Sequence, residues 1–581
     1  MHDTAVIASF RDQEDEGATK VARHEVDLLV IGSGAGALTA AFTAADAGAD
    51  VLVVEKSARY GGTSATSGGG IWIPDSADAR AKGHADDPQE ALGYIKALIG
   101  DDVPEAKLKT YVASAHQMLS YLEERSDVRY TAYAYSDYHM DVAGARDGWR
   151  THDPIPLMAD ALGEDFWKME PPHTLTLTFG RFTWTMEEAK LLLTMSPGAK
   201  SLLFKLMLKY VFDLPWRFKT KRARRLTGGN ALIGRLKLSL DRKGVPIWLN
   251  SPMVDLVTEK GRITGAVVER DGQRIEIHAR KGVVLATGGF DHSEALRRKY
   301  LPQPTSADWS AGVPSNTGDG LEAGLKAGAA TDLMDSAWWG PGFLLEGEDR
   351  ARILFVERAL PSSIIVNQAG RRYMNEAASY HVAGGEMHRC NRPEAPTVPS
   401  WFVFDARYRG KYMLGPMMAG KPSTDARLPE NMRKILKKAG NLAGLAAQIG
   451  VDPAVFAGEV ARFNSHAVKG EDPDFGRGAS AYDRHYGDAS VSPNPTLAPI
   501  AEAPFYAIPI YPCDLGTNGG LQTDDDGQVL DTQGRPLGGL YAVGNVSAAA
   551  MGRTYPGAGA TLGPAMTFGW LAARHAMRVN D

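Results

Sequence analysis

The sequence predicts an α/β fold in which parallel strands alternate with helices, and three segments of the chain predict it. Residues 26–31 (VDLLVI) form a short apolar run, and they lead directly into the glycine-rich turn 32–37 (GSGAGA). Two later segments, 282–289 (GVVLATGG) and 539–545 (GLYAVGN), repeat the order of an apolar run and a glycine turn. Because such runs are typical of strands buried in a parallel sheet, we expect a parallel sheet at the core.

The first glycine turn is predicted to bind a dinucleotide. A helical, alanine-rich segment follows it, and a second apolar run, 51–54, ends at Glu55. In the resulting G-x-G-x-x-A pattern, Gly32 permits a tight turn, Gly34 lets the backbone approach a pyrophosphate, and Ala37 allows the helix to pack closely on the strand. The N–H groups of the helix N-terminus would face the phosphates, and Glu55 would accept from ribose hydroxyls. The predicted contacts of this unit are Gly32, Ser33, Gly34, Ala35, Ala37, Glu55 and Lys56.

A second glycine-rich segment distinguishes between the dinucleotides. Residues 60–70 read YGGTSATSGGG, and apolar residues follow immediately, which favours an extended ligand along this backbone over a flexible linker. The two later strand-and-glycine segments resemble the second and third FAD fingerprints of flavoproteins with two dinucleotide-binding folds. We therefore predict FAD. The further predicted contacts are Gly62, Thr63, Ser64, Ser67, Gly68, Gly69, Gly70, Ala286, Thr287, Gly288, Gly544 and Asn545.

Composition and charge exclude several other classes of protein. The chain has 581 residues, with 64 Lys and Arg against 69 Asp and Glu, a net charge of −5. This balance excludes a protein whose whole surface binds nucleic acid. Two cysteines, Cys390 and Cys513, are too few for a disulfide framework or a cysteine-based zinc or iron–sulfur site. The histidines lack metal-ligand spacing, so we expect no metal. The low number of cysteines favours a reducing, cytoplasmic location.

Several motifs together resemble one flavoprotein superfamily. GSGAGALTAAFTAADAG, VEKSARYGGTSATSGGGIWIP, ATGGF, NTGDG, DLGTNGGL and GRTYPGAGATLGPAMTFG are similar to segments of the fumarate reductase/succinate dehydrogenase flavoproteins. Within that superfamily, TYPGAG points to the 3-ketosteroid Δ1-dehydrogenases. The resemblance runs from about residue 25 to the C-terminus, interrupted by an extra segment at roughly 150–225. It implies an enzyme of lipid metabolism that forms the C1–C2 double bond of a 3-ketosteroid and passes hydride to flavin N5.

The resemblance also implies a division into domains. A discontinuous, Rossmann-like FAD-binding domain with two dinucleotide-binding folds would comprise residues 22–336 and 498–581. An α+β substrate domain, residues 337–497, would be inserted between its two parts. The strand-and-glycine segments all lie outside this insert, whereas the insert contains the predicted helical run 428–450. Residues 1–21 are expected to form a disordered or loosely packed arm.

The catalytic residues are likewise assigned by the resemblance. The pair that polarises the ketone falls on Tyr555 and the backbone N–H of Gly559, which a Pro-Gly turn would bring to bear on one oxygen. The tyrosine that abstracts the proton falls on Tyr380, and its supporting tyrosine falls on Tyr138. A phenol with a pKa of about 10 is a poor base at neutral pH, and a hydrogen bond from a second phenol would favour its ionisation. Three nearby tyrosines could hold the supporting role instead: Tyr130, Tyr133 and Tyr135.

Further positions near the cofactor follow from the same resemblance. Asp319, in the motif NTGDG, matches a superfamily position beside FAD. The last helix is predicted to begin near Thr561 and Leu562, and its N-terminus would point at flavin N1 and O2, where negative charge gathers on reduction. Because Ser67 and the glycines after it offer no histidine for a covalent link, we expect FAD to be bound non-covalently.

Other functions stay open at this point. They include a Δ4-(5α)-3-ketosteroid dehydrogenase, a dehydrogenase of another cyclic ketone, and a fumarate-type ene-reductase, although Arg553 is the single arginine near the Tyr555 loop. A flavin-bearing electron-transfer or lipid-carrier subunit without chemistry of its own is the alternative from a different class. The electron acceptor is expected to be external and either quinone-like or of unknown type, and no nucleic acid is expected as a partner.

The extra segment carries an unusual concentration of positive charge. Residues 200–225 contain nine Lys or Arg and one acid, Asp213. Lys205 and Lys209 lie one turn apart among apolar residues, a pattern typical of a helix lying in a membrane interface, where clustered basic residues favour an anionic leaflet. The alternative is a helix packed on the FAD-binding domain. We expect peripheral contact through 186–225 with the inner face of the membrane, and no transmembrane helix.

Overall fold

The computed structural model describes residues 22–177 and 180–578, so the predicted arm at residues 1–21 lies outside the described residues. Its α-helices are α1 Ala35–Asp46, α2 Gly62–Thr66, α3 Ala77–Ala81, α4 Pro88–Ile99, α5 Glu105–Arg125, α6 Asp165–Lys168, α7 Met186–Leu193, α8 Ala199–Phe212, α9 Leu214–Arg217, α10 Gly228–Arg242, α11 Glu294–Tyr300, α12 Asp319–Lys326, α13 Tyr380–Arg389, α14 Ala406–Lys411, α15 Glu430–Ile435, α16 Leu442–Ile449, α17 Pro453–Ala467, α18 Ala481–His485 and α19 Leu562–Arg578. Its strands are β1 Ala22–Ile31, β2 Val51–Val54, β3 Ile71–Trp72, β4 Tyr130–Ala132, β5 Thr151–Pro154, β6 Leu157–Met158, β7 Arg225–Leu226, β8 Ile247–Trp248, β9 Met253–Glu259, β10 Arg262–Arg270, β11 Gln273–Leu285, β12 Thr331–Asp332, β13 Ala337–Phe343, β14 Arg352–Ile353, β15 Ser363–Val366, β16 Ser400–Phe404, β17 Lys437–Ala439, β18 Phe505–Thr517, β19 Gly520–Leu521, β20 Gln528–Leu530 and β21 Pro536–Ala542.

The larger sheet brings the three strand-and-glycine segments side by side. Its central order is β20–β21–β11–β1–β2–β8, with β10 and β9 added beside β11. Strands β1, β2, β11 and β21 pair in parallel, so their carboxyl ends and the glycine turns meet at one edge. Leu28, Leu29 and Val30 are fully buried in the middle of β1, as a strand covered on both faces requires. The predicted α/β fold is confirmed.

Close packing of two helices places the C-terminal helix beside the first glycine turn. Helix α19 lies against α1, and α10 lies against another side of α1. A Cβ atom on Gly36 would come within 2.7 Å of the Ala565 carbonyl oxygen, and one on Gly569 within 2.5 Å of the Gly36 carbonyl oxygen. These glycines therefore let the two backbones approach, and the start of α19 comes to lie at the same edge as the turn after β1.

A second, antiparallel sheet lies beside the first. Its order is β14–β13–β18–β16–β15, and β17 pairs with β18. Aromatic and aliphatic side chains, including Phe402, Phe404 and Tyr408, form its buried core. Because β18 pairs with both β13 and β16, this sheet continues past residue 497, where the predicted substrate domain ends. The exact domain bounds stay a prediction.

The predicted single helical run at 428–450 is wrong. Helices α15 and α16 are separated by strand β17, whose residues 437–439 pair with residues 505–507 of β18. The side chain of Asn441 then accepts a hydrogen bond from the backbone N–H of Gly444 and caps α16. Pairing with the edge of the sheet therefore overrides the helical pattern of the sequence.

The second half of the extra segment forms a small helical unit. Strands β6 and β7 pair and frame it, and Phe182, Leu192, Ala199 and Leu206 form its own buried cluster. The helix predicted around Lys205 and Lys209 is α8. Within the described part of the chain, no helix combines the length and the apolar character needed to cross a membrane.

Candidate active site

One continuous cavity follows the glycine turns at the edge of the larger sheet and ends among aromatic side chains of the second sheet and its neighbours. We call the first part the cofactor cleft; it is bounded by the turns after β1, β2, β11 and β21 and by the start of α19. The aromatic end is bounded by residues from the Tyr138 loop, α13, α18 and the Tyr555 loop. The cavity thus joins a nucleotide-type site to an apolar chamber.

The turn after β1 can be built only with glycine at its first position. Gly32 has a φ of +105°, and a Cβ atom there would lie 2.2 Å from the carbonyl oxygen of Ala286 on the neighbouring strand. Beside it, Ser33 Oγ donates to Glu55 Oε2 (2.6 Å) and accepts from the Gly61 N–H (2.9 Å). Burial raises the pKa of Glu55, while hydrogen bonds from Ser33 and from the Ser57 N–H oppose the rise. These bonds hold the Glu55 carboxyl at the end of β2, in the wall of the cleft.

Lys56 and Asp319 meet across the mouth of the cleft. Lys56 Nζ donates to Asp319 Oδ2 (2.6 Å) and to Thr317 Oγ1 (2.7 Å). The pair links the end of β2 to the start of α12, two elements far apart in the sequence. Lys56 and Asp319 belong to two different motifs that are predicted to contact the cofactor, and the fold makes them neighbours.

The second glycine-rich segment forms the floor of the cleft. Ser64 Oγ accepts from the Ala35 N–H (3.1 Å), so this segment is tied to the first turn of α1. Gly69 has a φ of +73°, and a Cβ atom there would lie 2.4 Å from the Gly228 backbone. The buried Thr287 Oγ1 has no hydrogen-bond partner among the described residues. Helix α1 begins in this cavity after Gly34 without a side-chain cap, and glycine backbone lines the cavity beside it, so a long ligand with phosphates and a planar ring system, such as FAD, fits the site.

The structure places nearly all of the predicted cofactor contacts in the wall of this cavity. Ala37 is the exception, because it is fully buried in α1 and does not line the cavity. Its burial agrees with the packing role that the motif gives to this position. The contacts that do line the cavity are Gly32, Ser33, Gly34, Ala35, Glu55, Lys56, Gly62, Thr63, Ser64, Ser67, Gly68, Gly69, Gly70, Ala286, Thr287, Gly288, Asp319, Gly544, Asn545, Gly559, Thr561 and Leu562.

Tyr138, Tyr380 and Tyr555, here called the tyrosine cluster, meet at the aromatic end of the cavity. The ring centroids of Tyr138 and Tyr380 lie 5.7 Å apart, those of Tyr138 and Tyr555 5.5 Å, and those of Tyr380 and Tyr555 5.4 Å. All three side chains are buried. Tyr380 begins α13, where Ser379 caps the helix, and Tyr555 lies in the loop before α19. Residues from three distant parts of the chain thus form one group.

Tyr555 and Gly559 present two donors on one side of the chamber. Thr561 Oγ1 donates to Tyr555 Oη (2.9 Å), which leaves the phenolic hydrogen of Tyr555 for another acceptor. Gly559 has a φ of +95°, and a Cβ atom there would lie 2.4 Å from the Ile71 backbone. Its N–H has no acceptor among the described residues. The loop therefore offers the phenolic hydrogen of Tyr555, whose oxygen accepts from Thr561, and a main-chain N–H that has no acceptor among the described residues.

Burial dominates the proton affinity of the tyrosine cluster. It raises the pKa of Tyr380 well above the ordinary value, neighbouring Tyr555 adds to the rise, and a hydrogen bond with Tyr138 opposes it. Burial also raises the pKa of Tyr555, with opposing hydrogen bonds from Thr561 and Tyr380. The lowering expected from a second phenol is therefore present but smaller than the effect of desolvation.

Several residues of the chamber carry no signal in the sequence. The ring of Tyr482 lies 4.7 Å from that of Tyr138, Phe355 lies 5.0 Å from Tyr380, and Trp338 lies 5.1 Å from Tyr555. They come from helix α18, from the loop after β14 and from strand β13 respectively, so no spacing could have joined them. The extra segment contributes a further part of the wall through Trp184, Met186, Ala189 and Leu193.

The alternatives to Tyr138 occupy different positions. Tyr130 Oη donates to the Gly69 carbonyl (2.9 Å), so it supports the cleft floor. Tyr133 is half-buried, and its ring lies tilted against that of Tyr135 with the centroids 6.1 Å apart. Tyr135 lines the chamber and contacts Tyr138, but among these four it is Tyr138 that makes ring contacts with both Tyr380 and Tyr555.

A comparison with protein families supports the prediction that the cleft binds FAD. The family model described as FAD binding domain matches residues 27–562. The chain belongs to this family of FAD-binding flavoproteins, and FAD is its cofactor.

Individual relatives show which FAD-binding enzymes this chain is similar to. The chain is 39% identical to a 3-oxosteroid 1-dehydrogenase of Mycobacterium tuberculosis, over 95% of this chain and 98% of the relative. It is 37% identical to a 4-oxocyclohexanecarboxylate 2-dehydrogenase of Sinomonas cyclohexanicum, over 95% and 93% of the two chains. The crystal structure of a 3-ketosteroid delta1-dehydrogenase from Sterolibacterium denitrificans, in complex with 1,4-androstadiene-3,17-dione, superimposes with a TM-score of 0.92 at 44% identity, covering 95% of this chain and 99% of that one. The resemblance indicated by the motifs is confirmed, and the protein is an FAD-dependent oxidoreductase.

Proposed function

We propose that this protein removes one hydrogen each from C1 and C2 of a 3-ketosteroid and leaves a double bond between them. The observation that carries the proposal is the convergence of the tyrosine cluster and Gly559 on the apolar end of the cofactor cavity. The names of the relatives in Mycobacterium tuberculosis and Sterolibacterium denitrificans support a 3-ketosteroid as the substrate. A flat, lipophilic ketone suits a chamber with aromatic walls and few polar groups.

The ketone oxygen would be held by Tyr555 and Gly559. Among the described residues, neither the Tyr555 O–H nor the Gly559 N–H has an acceptor, so both can donate to a single oxygen. Donors already in place as the enolate develops stabilise its charge without reorganisation, which is the principle of an oxyanion hole. The carbon next to the carbonyl then becomes acidic enough to lose a proton.

Tyr380 would take that proton from C2. Its ring lies beside both Tyr138 and Tyr555, so a substrate whose carbonyl is held at Tyr555 brings its neighbouring carbon towards Tyr380. The hydrogen bond with Tyr138 favours the ionised form of Tyr380 and so assists its action as a base. When bound, FAD would supply the remaining chemistry, an acceptor at its N5 for the hydride that leaves the adjacent carbon. The aromatic walls exclude water from the enolate.

A smaller cyclic ketone is the second candidate substrate. The relative from Sinomonas cyclohexanicum, named for 4-oxocyclohexanecarboxylate, matches almost the whole chain at 37% identity. Such a substrate needs the same ketone donors and the same base, but it would leave the part of the chamber beside Trp184, Met186 and Leu193 empty. The physiological electron acceptor, which we expect to be an external, quinone-like compound or one of unknown type, would be the same for both.

Anaerobic titration distinguishes these substrates. Androst-4-ene-3,17-dione should bleach the yellow absorbance of the bound flavin at a low micromolar to millimolar concentration, as is usual for substrates. 4-Oxocyclohexanecarboxylate should bleach it far more slowly, and fumarate with an artificial reductant should not be turned over. Faster bleaching by the small ketone would replace the steroid proposal with the second candidate. Release of the flavin on acid denaturation should accompany these results, because FAD is expected to be non-covalent.

We also propose that the extra segment docks on an anionic membrane. Seven large apolar side chains of α8 and α9 and the residue after them are exposed to solvent, most strongly Phe204 (62%), Phe212 (72%) and Phe218 (90%). We call this set the apolar patch; its other members are Met207, Leu208, Val211 and Leu214. Aromatic and aliphatic side chains on one surface with lysines among them are typical of a helix that lies in a membrane interface.

The charges that would face lipid are lysines. Arg222, Arg224 and Arg225 are occupied within the protein, by Asn230, by Asp213 and by Glu188 respectively. Four exposed lysines lie beside the apolar patch: Lys205, Lys209, Lys219 and Lys221.

Flotation with vesicles containing phosphatidylserine should carry the holoenzyme upwards at low salt, and neutral vesicles should carry less of it. Equal flotation with both would contradict a charge-assisted contact, and none with either would contradict docking.

A further inference from the structure

Tyr94 joins the two loops that carry Tyr138 and Tyr555. It is fully buried in α4, and its Oη donates to the carbonyl oxygen of Pro556 (2.7 Å). The backbone N–H of Tyr138 donates to the same carbonyl oxygen (2.9 Å). In addition, the N–H of His139 donates to Tyr94 Oη (3.3 Å). A single phenol therefore lies between the residue after Tyr555 and the residue after Tyr138, and it bonds to both.

The ring of Trp72, whose centroid lies 6.4 Å from that of Tyr94, packs against the same junction. A Cβ atom on Gly557 would lie 2.6 Å from the Trp72 ring, so the Tyr555 loop has no free space in that direction. Trp72 Nε1 donates to Asp137 Oδ1 (2.8 Å), and Arg150 Nη1 donates to Asp137 Oδ2 (2.7 Å). These bonds hold the Tyr138 loop against Trp72. Tyr94 thus adds a second hydrogen bond to the Pro556 carbonyl, beside the direct one from the Tyr138 N–H, and so reinforces the junction of the two loops.

The phenol of Tyr94 is suited to act as a permanent donor. Burial and the charge of Asp137 raise its pKa far above the ordinary value of a tyrosine. The hydroxyl is therefore protonated at every pH at which the enzyme would work, and it can always donate to the Pro556 carbonyl. Its own role in proton transfer to the substrate is excluded by its place behind the loops, because it does not line the cavity.

We infer that Tyr94 is a positioning residue for the dehydrogenation, an inference that rests on the proposed function. By bonding to Pro556 and to His139, it helps the direct Tyr138–Pro556 bond to fix the separation of the ketone donor Tyr555 from Tyr138, and through Tyr138 from the base Tyr380. A displacement of about 1 Å between reacting groups can lower a rate roughly 10²-fold. Loss of this one hydroxyl should therefore lower turnover without removing any group that touches substrate or cofactor.

The test compares Tyr94→Phe with Tyr506→Phe in the FAD-loaded enzyme. Tyr506 is also a fully buried residue, and its Oη donates to Asp425 (2.9 Å) away from the cavity in a partly buried bond, so its replacement controls for the loss of one phenolic hydroxyl. We expect Tyr94→Phe to lower kcat by ~10- to 100-fold with KM and FAD content unchanged. The rising limb of its kcat–pH profile should also move to higher pH, because Tyr138 then supports ionisation of Tyr380 less well. Tyr506→Phe should change none of these quantities.

Tyr555→Phe in the same series separates the two proposals. If Tyr555→Phe keeps the wild-type rate, the proposed function fails. If Tyr555→Phe is inactive but Tyr94→Phe matches Tyr506→Phe in kcat and pH profile, the positioning role alone is overturned. It is also overturned if Tyr94→Phe loses FAD or folding while Tyr506→Phe does not, because the hydroxyl would then be a general structural support.

Discussion

The cofactor cleft and the apolar patch differ in what determines their surfaces. In the cleft the backbone sets the geometry, since Gly32 and Gly69 adopt positive φ values at places where a Cβ atom would overlap the backbone of another segment. In the patch the side chains set it, since Phe212 at the end of α8 and Phe218 just after α9 project into solvent from a unit with a small core of its own. One added methyl group can therefore disrupt the geometry of the cofactor cleft. A substitution in the apolar patch should leave the fold intact and weaken only the binding of that patch to a membrane.

Asp153 lies at the border between these regions. Its Oδ2 accepts from the backbone N–H of Met186 (2.7 Å) at the start of α7, and its Oδ1 has no partner among the described residues. The Met186 side chain in turn reaches the cleft floor beside Gly70. A change at this contact should therefore affect how the extra segment is held rather than either surface alone.

The largest effect is expected from Gly32→Ala, which should abolish FAD binding. The new methyl group would lie 2.2 Å from the Ala286 carbonyl oxygen, so the turn after β1 would have to move away from the phosphates. Flavin absorbance of the purified protein measures the loss. Gly48→Ala is the control, because Gly48 also has a positive φ (+90°) but nothing within 4 Å of a Cβ atom. FAD retained by Gly32→Ala at the level of Gly48→Ala would contradict a backbone-determined cleft.

Replacing Phe204, Phe212 and Phe218 together by serine should lower vesicle binding more than tenfold and leave FAD content unchanged. Each buried aromatic side chain contributes about 2 kcal/mol on leaving water, and three of them act on the same equilibrium. Val468→Ser provides the control, because Val468 is equally exposed (60%) but lies at the end of α17. Should the triple variant float as well as Val468→Ser, the apolar patch is not the contact with lipid.

Asp153→Asn should change how stability depends on pH. Burial raises the pKa of Asp153 to about 7, so the folded protein holds this proton more firmly than the unfolded chain does. The free energy of unfolding should therefore fall as the pH rises from about 4 to 7, by ~1.4 kcal/mol per unit. The asparagine can still accept from Met186 and does not ionise, so the variant should be more stable than wild type at pH 8. Urea unfolding at pH 5 and pH 8 measures the difference.

The control for that experiment is Asp271→Asn, which replaces an exposed carboxylate. It should reproduce the pH dependence of the wild type. If the stability of Asp153→Asn depended on pH in the same way as that of the wild type, folding would not raise the pKa of Asp153, and the prediction would be contradicted.

The smallest effect is expected from neutralising single lysines beside the apolar patch. Lys209→Gln should weaken binding to anionic vesicles by about 1 kcal/mol at low salt, and the difference should vanish when salt shortens the Debye length. Arg224→Gln should instead lower thermal stability, because Arg224 pairs with Asp213 within the protein. If Arg224→Gln weakened flotation more than Lys209→Gln, the assignment of the lipid-facing charges would be reversed.

The sequence predicted the cleft more completely than the chamber. Gly32, Glu55 and the strands around them could be read from local spacing, because a phosphate-binding turn requires particular residues at particular positions. The tyrosine cluster needed the family resemblance, since Tyr138, Tyr380 and Tyr555 lie hundreds of residues apart and share no pattern. Tyr482 and Trp338 had no signal at all, and β17 replaced a predicted helix because pairing with β18 is a tertiary contact.

The same limit applies to the extra segment. Its cluster of positive charge could be read from the sequence. Which of these basic side chains are paired within the protein and which face solvent could not. Arg222, Arg224 and Arg225 look like exposed charges along the chain, yet each finds a partner inside the protein. Partners contributed by distant elements become visible only in the folded structure.

The central claim is that Tyr380 is the base, and one measurement tests it most directly. Stopped-flow reduction of the flavin by androst-4-ene-3,17-dione should be about 10²- to 10⁴-fold slower in Tyr380→Phe than in wild type, with FAD content unchanged. In the wild type this rate should rise with pH through the neutral range, because burial raises the pKa of Tyr380 and the base must lose its proton to act. Near-wild-type reduction by Tyr380→Phe with the same rise would contradict the account.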